Sequence, residues 1–158
     1  MKRVVLWIAA LAVLTTAGVA IFMRTLDHPI ETWHADPTEV VRGQVQNDYL
    51  VAPEGASRSE PNRLFEARDI SPKDLLFLFD SIAANAPRTA QIAMDEDGLT
   101  VTYVQKSMLF AFPDYISVKA VPVGEGAGLV IWSRSRFGVS DLGVNGARID
   151  DWLVKLGE

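Results

Sequence analysis

The sequence predicts an α+β protein in which an N-terminal transmembrane helix precedes a two-layer sandwich of one antiparallel sheet and two helices. Three observations support this fold class. An apolar run without charge or proline occupies residues 4–23. About four to five segments with alternating apolar and polar residues follow, joined by turns, as in an antiparallel sheet. Two further segments carry apolar residues at helical spacing, and two such helices can cover one face of a sheet.

The first 24 residues are typical of a membrane anchor. As a helix, residues 4–23 would span roughly 30 Å, the thickness of the hydrocarbon core. Lys2 and Arg3 precede this run, and Arg24 alone follows it closely. This bias predicts a single-pass membrane protein with its N-terminus on the cytoplasmic side and its domain outside the cytoplasm. A cleaved signal peptide is the alternative, with a small-residue site at 18–20, but the apolar run continues beyond that site.

Composition excludes several classes of protein. The chain has 158 residues, enough for one domain, and no cysteine, which excludes disulfides and thiolate metal sites. The net charge is −5, with 15 basic and 20 acidic residues. Without the three basic residues that flank the apolar run, the remaining chain carries −8. An acidic domain of this kind is unsuited to nucleic acid, and it is unsuited to an anionic lipid surface unless its arginines cluster.

Residues 25–47 are predicted to form an extended tether between the anchor and a soluble domain at 48–158. Prolines at positions 29 and 37 each disfavour helix at the residue before them. Both histidines of the chain lie in this segment, and His34 with Asp36 offers two metal-ligand types. No third ligand can be located, so the sequence predicts neither a metal nor a cofactor.

The domain elements follow in order. Ser71, Pro72 and Asp74 form a helix start, and the sequence Asn85-Ala86-Pro87 marks its end. The last helix carries apolar residues at i, i+3, i+4 and i+7: Ile149, Trp152, Leu153 and Leu156. Strands are expected at 49–51 (a short edge strand), 90–94, 99–103, 115–121 and 129–135.

The segment 133–148 holds most of the candidate binding residues. Arg134 and Arg136 project from one side of a strand, and Ser140 or Asp141 can cap the final helix. Two arginines beside a helix N-terminus can bind an anion. Alternatively, Asp141 ties the strand to the helix by accepting from an arginine and from helix amides. The candidates here are Arg134, Arg136, Ser140, Asp141, Asn145 and Arg148.

The aromatic segment 110–115 adds Phe112, Asp114 and Tyr115 as candidates. Its rings form either the rim of an apolar pocket or one end of the core. Asp114 and Asp141 would be the carboxylates of a hydrolase. The chain offers no convincing nucleophile or metal set to accompany them, so no catalytic residue is assigned.

Three motifs carry a family resemblance. Residues 103–107 (YVQKS), 112–115 (FPDY) and 133–145 (SRSRFGVSDLGVN) resemble the hallmarks of the bacterial family called domain of unknown function 1499. Residues 33–37 and 47–50 are similar to its membrane-anchored members, and the resemblance covers roughly residues 33–156. Gly146-Ala147 departs from the more basic pair expected there. The resemblance implies domain limits and a bacterial envelope setting, without an activity or a catalytic residue.

Together these observations predict a non-enzymatic periplasmic module that binds an anionic lipid, a glycan or an envelope protein near the membrane. A structural subunit of a membrane complex and a carboxylate-dependent hydrolase are the alternatives.

Overall fold

The computed structural model describes residues 2–43 and 47–158. Its first element is helix α1 (Lys2–Arg24), which buries no residue in the structure. In the described part of the chain, α1 is the one helix long and apolar enough to cross a membrane. Its span agrees with the predicted anchor of residues 1–24, of which Met1 lies outside the described residues.

After α1 the chain forms a six-stranded mixed sheet with three further helices. In chain order the elements are α2 (Ile30–Trp33), β1 (Asp48–Ala52), β2 (Arg63–Leu64), α3 (Pro72–Ala84), β3 (Thr89–Met94), β4 (Thr100–Lys106), β5 (Pro113–Val123), β6 (Gly126–Ser135) and α4 (Val144–Leu156). The strand order is β2-β1-β6-β5-β4-β3, and every neighbouring pair is antiparallel except β1 with β2.

The α+β class is confirmed, with one strand more than the four to five predicted. The additional strand, β2, has two residues, which is too short for an alternating pattern to appear in the sequence. It pairs in parallel with β1 and takes the edge of the sheet. The segment 49–51, expected at the edge, therefore lies second in the sheet.

Helices α3 and α4 pack on one face of the sheet and form the main core. Helix α3 begins as predicted, with the Ser71 side chain accepting from the Asp74 amide at 3.2 Å. The Trp152 ring of α4 meets Phe79 of α3 at 5.8 Å and Tyr103 of β4 at 6.4 Å, both edge to face. This layer accounts for the apolar spacing seen in both helices.

The other face of the sheet is covered by residues 28–36, which we call the strap. The Trp33 ring lies flat on Tyr115, with ring centroids 3.8 Å apart and planes 7° from parallel. His34 Nδ1 and the Thr102 hydroxyl are hydrogen-bonded at 2.9 Å, and Asp36 forms an ion pair with Lys119. The segment predicted as an extended tether over 25–47 thus packs on the sheet and includes the short helix α2, while residues 44–46 lie outside the described part.

One end of the sheet lies against the end of α1, and we call it the anchor end. There β4 and β6 finish and β5 begins. Lys106 Nζ donates to the Arg24 carbonyl at 3.4 Å, and Arg136 Nη1 donates to the Asp27 carbonyl at 2.8 Å. The β3–β4 and β5–β6 turns lie at the opposite end.

Candidate functional site

The sheet divides the predicted site residues between its two faces. Side chains alternate along a strand, so Ser133 and Ser135 of β6 face the helices, whereas Arg134 and Arg136 face the strap. The two arginines therefore do not flank the N-terminus of α4, as the sequence suggested. Any anion bound by them would be held on the strap side.

Arg148 and Asn145 form a buried network on the helix side. The Arg148 guanidinium donates to Gln105 Oε1 at 2.6 Å, to Ser133 Oγ at 2.8 Å and to Asp114 Oδ2 at 2.5 Å. Asn145 Oδ1 also accepts from Arg148 at 2.6 Å. These bonds join α4 to β4, β5 and β6, so they hold the fold together.

The final helix is capped by Asp141. Gly143 is the N-cap residue of α4. The Asp141 carboxylate accepts from the Gly143 amide at 3.1 Å and from the Asn145 amide of the first turn at 2.6 Å, so it satisfies one helix donor from a position before the N-cap. Within the described ranges no arginine forms an ion pair with Asp141, contrary to the predicted corner. Ser140 Oγ accepts from the Leu142 amide at 3.3 Å.

Gly146 stands where the family resemblance led us to expect a basic residue. A Cβ at this position would lie 3.2 Å from the Tyr49 ring. The small residue therefore lets α4 approach β1 closely.

Arg134 is the most unusual of the predicted residues, because it is a buried cation without a carboxylate. Only 6% of it is exposed, and no carboxylate within the described ranges lies at ion-pair distance. Its guanidinium donates to the Trp33 carbonyl at 2.5 Å and to Ser117 Oγ at 3.1 Å, and lies 3.9 Å from the Trp132 ring centroid. Burial lowers the pKa of Arg134 to about 10. A buried charge needs such partners, so Arg134 holds the strap in place.

Arg136 lies nearer the surface at the anchor end. Its Nη1 donates to the Asp27 carbonyl at 2.8 Å and to the Tyr115 hydroxyl at 3.4 Å. Within residues 2–43 and 47–158, its Nε and Nη2 atoms make no hydrogen bond and no carboxylate pairs with it. One edge of the guanidinium thus remains available.

His28 lies near Arg136 and Lys106 at the anchor end. Its Nδ1 and the Tyr115 hydroxyl are hydrogen-bonded at 2.7 Å. Burial lowers the pKa of His28, the charges of Lys106 and Arg136 lower it further, and Asp27 opposes them. The basic groups Lys106 and Arg136 thus lie close to His28 at the anchor end, together with the acid Asp27.

A groove of about 300 Å³ opens at the anchor end, between the β4–β5 connection and the segment before α4. It brings together four of the predicted residues: Phe112, Asp114, Ser140 and Asp141. The Phe137 ring lines it 6.1 Å from Phe112, but Tyr115 lies on the other face of the sheet. Phe137, Trp33 and His28 were missed as site residues, although the aromatic residues of 28–33 and the ring after Arg136 were visible in the sequence.

The two metal-ligand types that the sequence offers, His34 and Asp36, are engaged with other side chains. His34 Nε2 contacts Asp95 at 2.9 Å, and Asp36 pairs with Lys119. In the part of the chain that the structure describes, no group of three or more histidine or acidic side chains could hold a metal ion.

Fold and site together define a class: an α+β domain with a mixed sheet, preceded by a helix able to span a membrane. On the face away from its two covering helices it carries arginines that pair with no carboxylate among the described residues. Residues 27–156 match the family described as a protein of unknown function (DUF1499), and the chain belongs to this family. The resemblance of the three motifs is thereby confirmed, and the strap falls within the family domain. No curated protein and no solved structure matches the chain.

Proposed function

We propose that this chain is a single-pass inner-membrane protein whose periplasmic domain is a non-enzymatic module that binds an anionic group at the anchor end. The observation that carries the proposal is the half-buried guanidinium of Arg136, which lies near the end of α1. One of its edges makes no hydrogen bond within residues 2–43 and 47–158. The chemistry recognised is that of a phosphate or carboxylate, which accepts two parallel N–H bonds from such an edge.

The anchoring part of the proposal rests on α1. Its length and composition fit a bilayer, and it buries no residue against the domain. Lys2 and Arg3 at its start and the single Arg24 at its end favour a cytoplasmic N-terminus. The domain then lies on the periplasmic side.

The Phe137 ring supplies an apolar neighbour for such a ligand. Phe137 lines the groove, and its ring centroid lies 5.5 Å from the Arg136 guanidinium. An anionic group on Arg136 therefore has an aromatic surface next to it. A phosphate ester with an apolar or ring-shaped substituent suits both parts.

Hydrolysis is disfavoured by the state of the two carboxylates. Asp114 is bonded to the buried Arg148, and Asp141 caps α4. Each carboxylate already serves the fold, and a general acid or base needs a carboxylate that can reach a substrate proton. Turnover of an envelope substrate that disappears in Asp114→Asn while the fold persists would nevertheless favour the hydrolase.

The test is titration of the detergent-solubilised full chain with glycerol phosphate and with a short-chain phosphatidylglycerol. Arg136→Gln should weaken binding roughly tenfold or more, since hydrogen bonds to charged groups contribute about 1.5–3 kcal/mol. Arg58→Gln is the matched control, because Arg58 is exposed and its side chain makes no bond within the described ranges.

Binding of both probes assigns the site to the phosphate itself, and binding of the lipid alone assigns it to a lipid headgroup. Equal affinities of Arg136→Gln and Arg58→Gln for both probes would refute the site. A stoichiometric protein that co-purifies with the chain, together with no binding of either probe, would favour the structural subunit.

A further inference from the structure

Two loops at the anchor end expose apolar side chains that no other part of the described chain covers. The loops are residues 107–112 and 137–144, which we call the apolar loops. Leu142 is 93% exposed, Val139 78% and Met108 71%, and Leu109, Phe137 and Val144 are also exposed. Leu142 adopts a φ of 55°, a conformation that is uncommon for residues other than glycine, with its side chain in solvent. Six apolar side chains on adjacent loops at one end are more than scattered surface residues, and such patches mark interaction sites.

Both loops begin next to residues that hold the end of α1. Lys106, which donates to the Arg24 carbonyl at 3.4 Å, directly precedes the first loop. Arg136, which donates to the Asp27 carbonyl at 2.8 Å, directly precedes the second. Only two residues, Thr25 and Leu26, lie between Arg24 and Asp27, and the three chain steps that join them reach about 10 Å when fully extended. A bilayer that contains α1 therefore has its surface at the apolar loops.

The charges at this end suit a lipid surface. Arg24, Lys106 and Arg136 lie around the base of the loops, and the acids nearby, Asp114 and Asp141, are engaged by Arg148 and by helix amides. Asp27 is the one exposed acid among the residues that join α1 to the strap. Basic and apolar residues together are typical of segments that lie in the membrane interface.

From this juxtaposition we propose that the apolar loops insert into the interface of the bilayer that holds α1. The domain is then attached at three points, α1 and two loops, and keeps one orientation on the membrane. This proposal rests on the anchoring proposed above, but it does not require that Arg136 bind a ligand. The occupant is the lipid surface, since the chain's own span ends beside the loops.

The test uses the absence of cysteine from the chain. Met108→Cys and Leu142→Cys are labelled with an environment-sensitive fluorophore in the full chain, reconstituted in vesicles of phosphatidylcholine and phosphatidylglycerol. Phe77→Cys is the control, because Phe77 on α3 is 72% exposed and lies beside the β3–β4 turn at the opposite end. We expect blue-shifted emission and several-fold stronger quenching by nitroxide lipids at positions 108 and 142 than at 77. Aqueous iodide should show the reverse order.

Each other outcome overturns the proposal in a recognisable way. A chain that resists alkaline washing while its loop probes are quenched by iodide as strongly as the control would refute docking and leave the anchor intact. A chain that is washed off the vesicles would refute the anchor and docking together. Emission that is blue-shifted only at high protein density, without nitroxide quenching, would show that a second copy covers the loops.

Discussion

Replacing Arg148 with methionine should destabilise the domain strongly, whereas replacing Arg136 with glutamine should not. Both arginines were candidates for one binding patch, and the structure gives them opposite surroundings. Arg148 is buried and makes four side-chain bonds, to Gln105, Ser133, Asn145 and Asp114. Arg136 is half-buried and pairs with no carboxylate in the described part.

The size of the stability loss depends on Asp114, the carboxylate that Arg148→Met would leave without its cation. The Asp114 side chain is 14% exposed, so Arg148→Met leaves a largely buried carboxylate without its cation. Breaking a buried pair on one side costs about 3–5 kcal/mol. For a domain of this size the melting temperature should fall by on the order of 10–20 °C. Arg136→Gln should change the free energy of unfolding by less than about 1 kcal/mol.

The assay is urea unfolding of the full chain in detergent, followed by near-UV circular dichroism, with Arg136→Gln measured in parallel. A double variant, Asp114→Asn with Arg148→Met, should lose less stability than the sum of the two single variants, because the pair is coupled. Additive losses of stability would refute the coupling between Asp114 and Arg148. A stable Arg148→Met protein that no longer binds a ligand would refute the structural role and assign Arg148 to ligand binding.

Three further predictions concern a cap, a close contact and a titration. Asp141→Ala removes the acceptor of two amides at the start of α4 and should cost about 1 kcal/mol in a urea titration; an unchanged midpoint contradicts the cap. Gly126→Ala would place a Cβ 2.0 Å from the Arg68 carbonyl oxygen, so it should lower the free energy of unfolding by about 1–3 kcal/mol. It should also weaken hydrogen-exchange protection at the β-bridge between Arg68 and Ala127. The pKa of His28 is lowered from 6.5 in the folded state, so the unfolded chain binds the proton first and stability falls as pH drops through about 6.5. On acidification from about pH 7.5 to pH 5, the His28→Gln variant should therefore lose less free energy of unfolding than the parent protein. Parallel curves of unfolding free energy against pH would show that His28 is not the titrating group.

Local sequence signals predicted the elements that depend on local physics. The Ser71 cap and the Pro72 start of α3 lie where the sequence put them, because capping involves residues within one turn. The alternation of side chains along β6 was also readable, since strand geometry fixes which residues share a face. The cap predicted at Ser140 or Asp141 was only partly right, because Gly143 is the N-cap residue and Asp141 bonds the Asn145 amide from two positions before it.

Contacts between segments that are distant in sequence could not be predicted from local sequence signals. Strand β2 has two residues and exists because residues 63 and 64 return beside β1. The packing of the strap depends on Trp33 meeting Tyr115 and on Arg134 reaching the Trp33 carbonyl, contacts between residues 82 or more positions apart in sequence. Prolines 29 and 37 indicated only that the segment was not a long helix. Arg134 and Arg136 would lie beside the N-terminus of α4 only if α4 covered their face of the sheet. No local sequence pattern indicates which face α4 covers.

The packing of the strap on the sheet limits how far the domain can move from the end of α1. A flexible tether over residues 25–47 would let the domain reach roughly 75 Å from the bilayer when fully extended. In the structure the chain is held from Asp27 onward, so two residues remain between Arg24 and this contact, which is about 10 Å of chain from end to end. In the membrane arrangement proposed above, the anchor end stays at the bilayer surface for as long as Trp33 is stacked on Tyr115. A ligand of Arg136 therefore has to come from the bilayer surface itself or from molecules concentrated beside it.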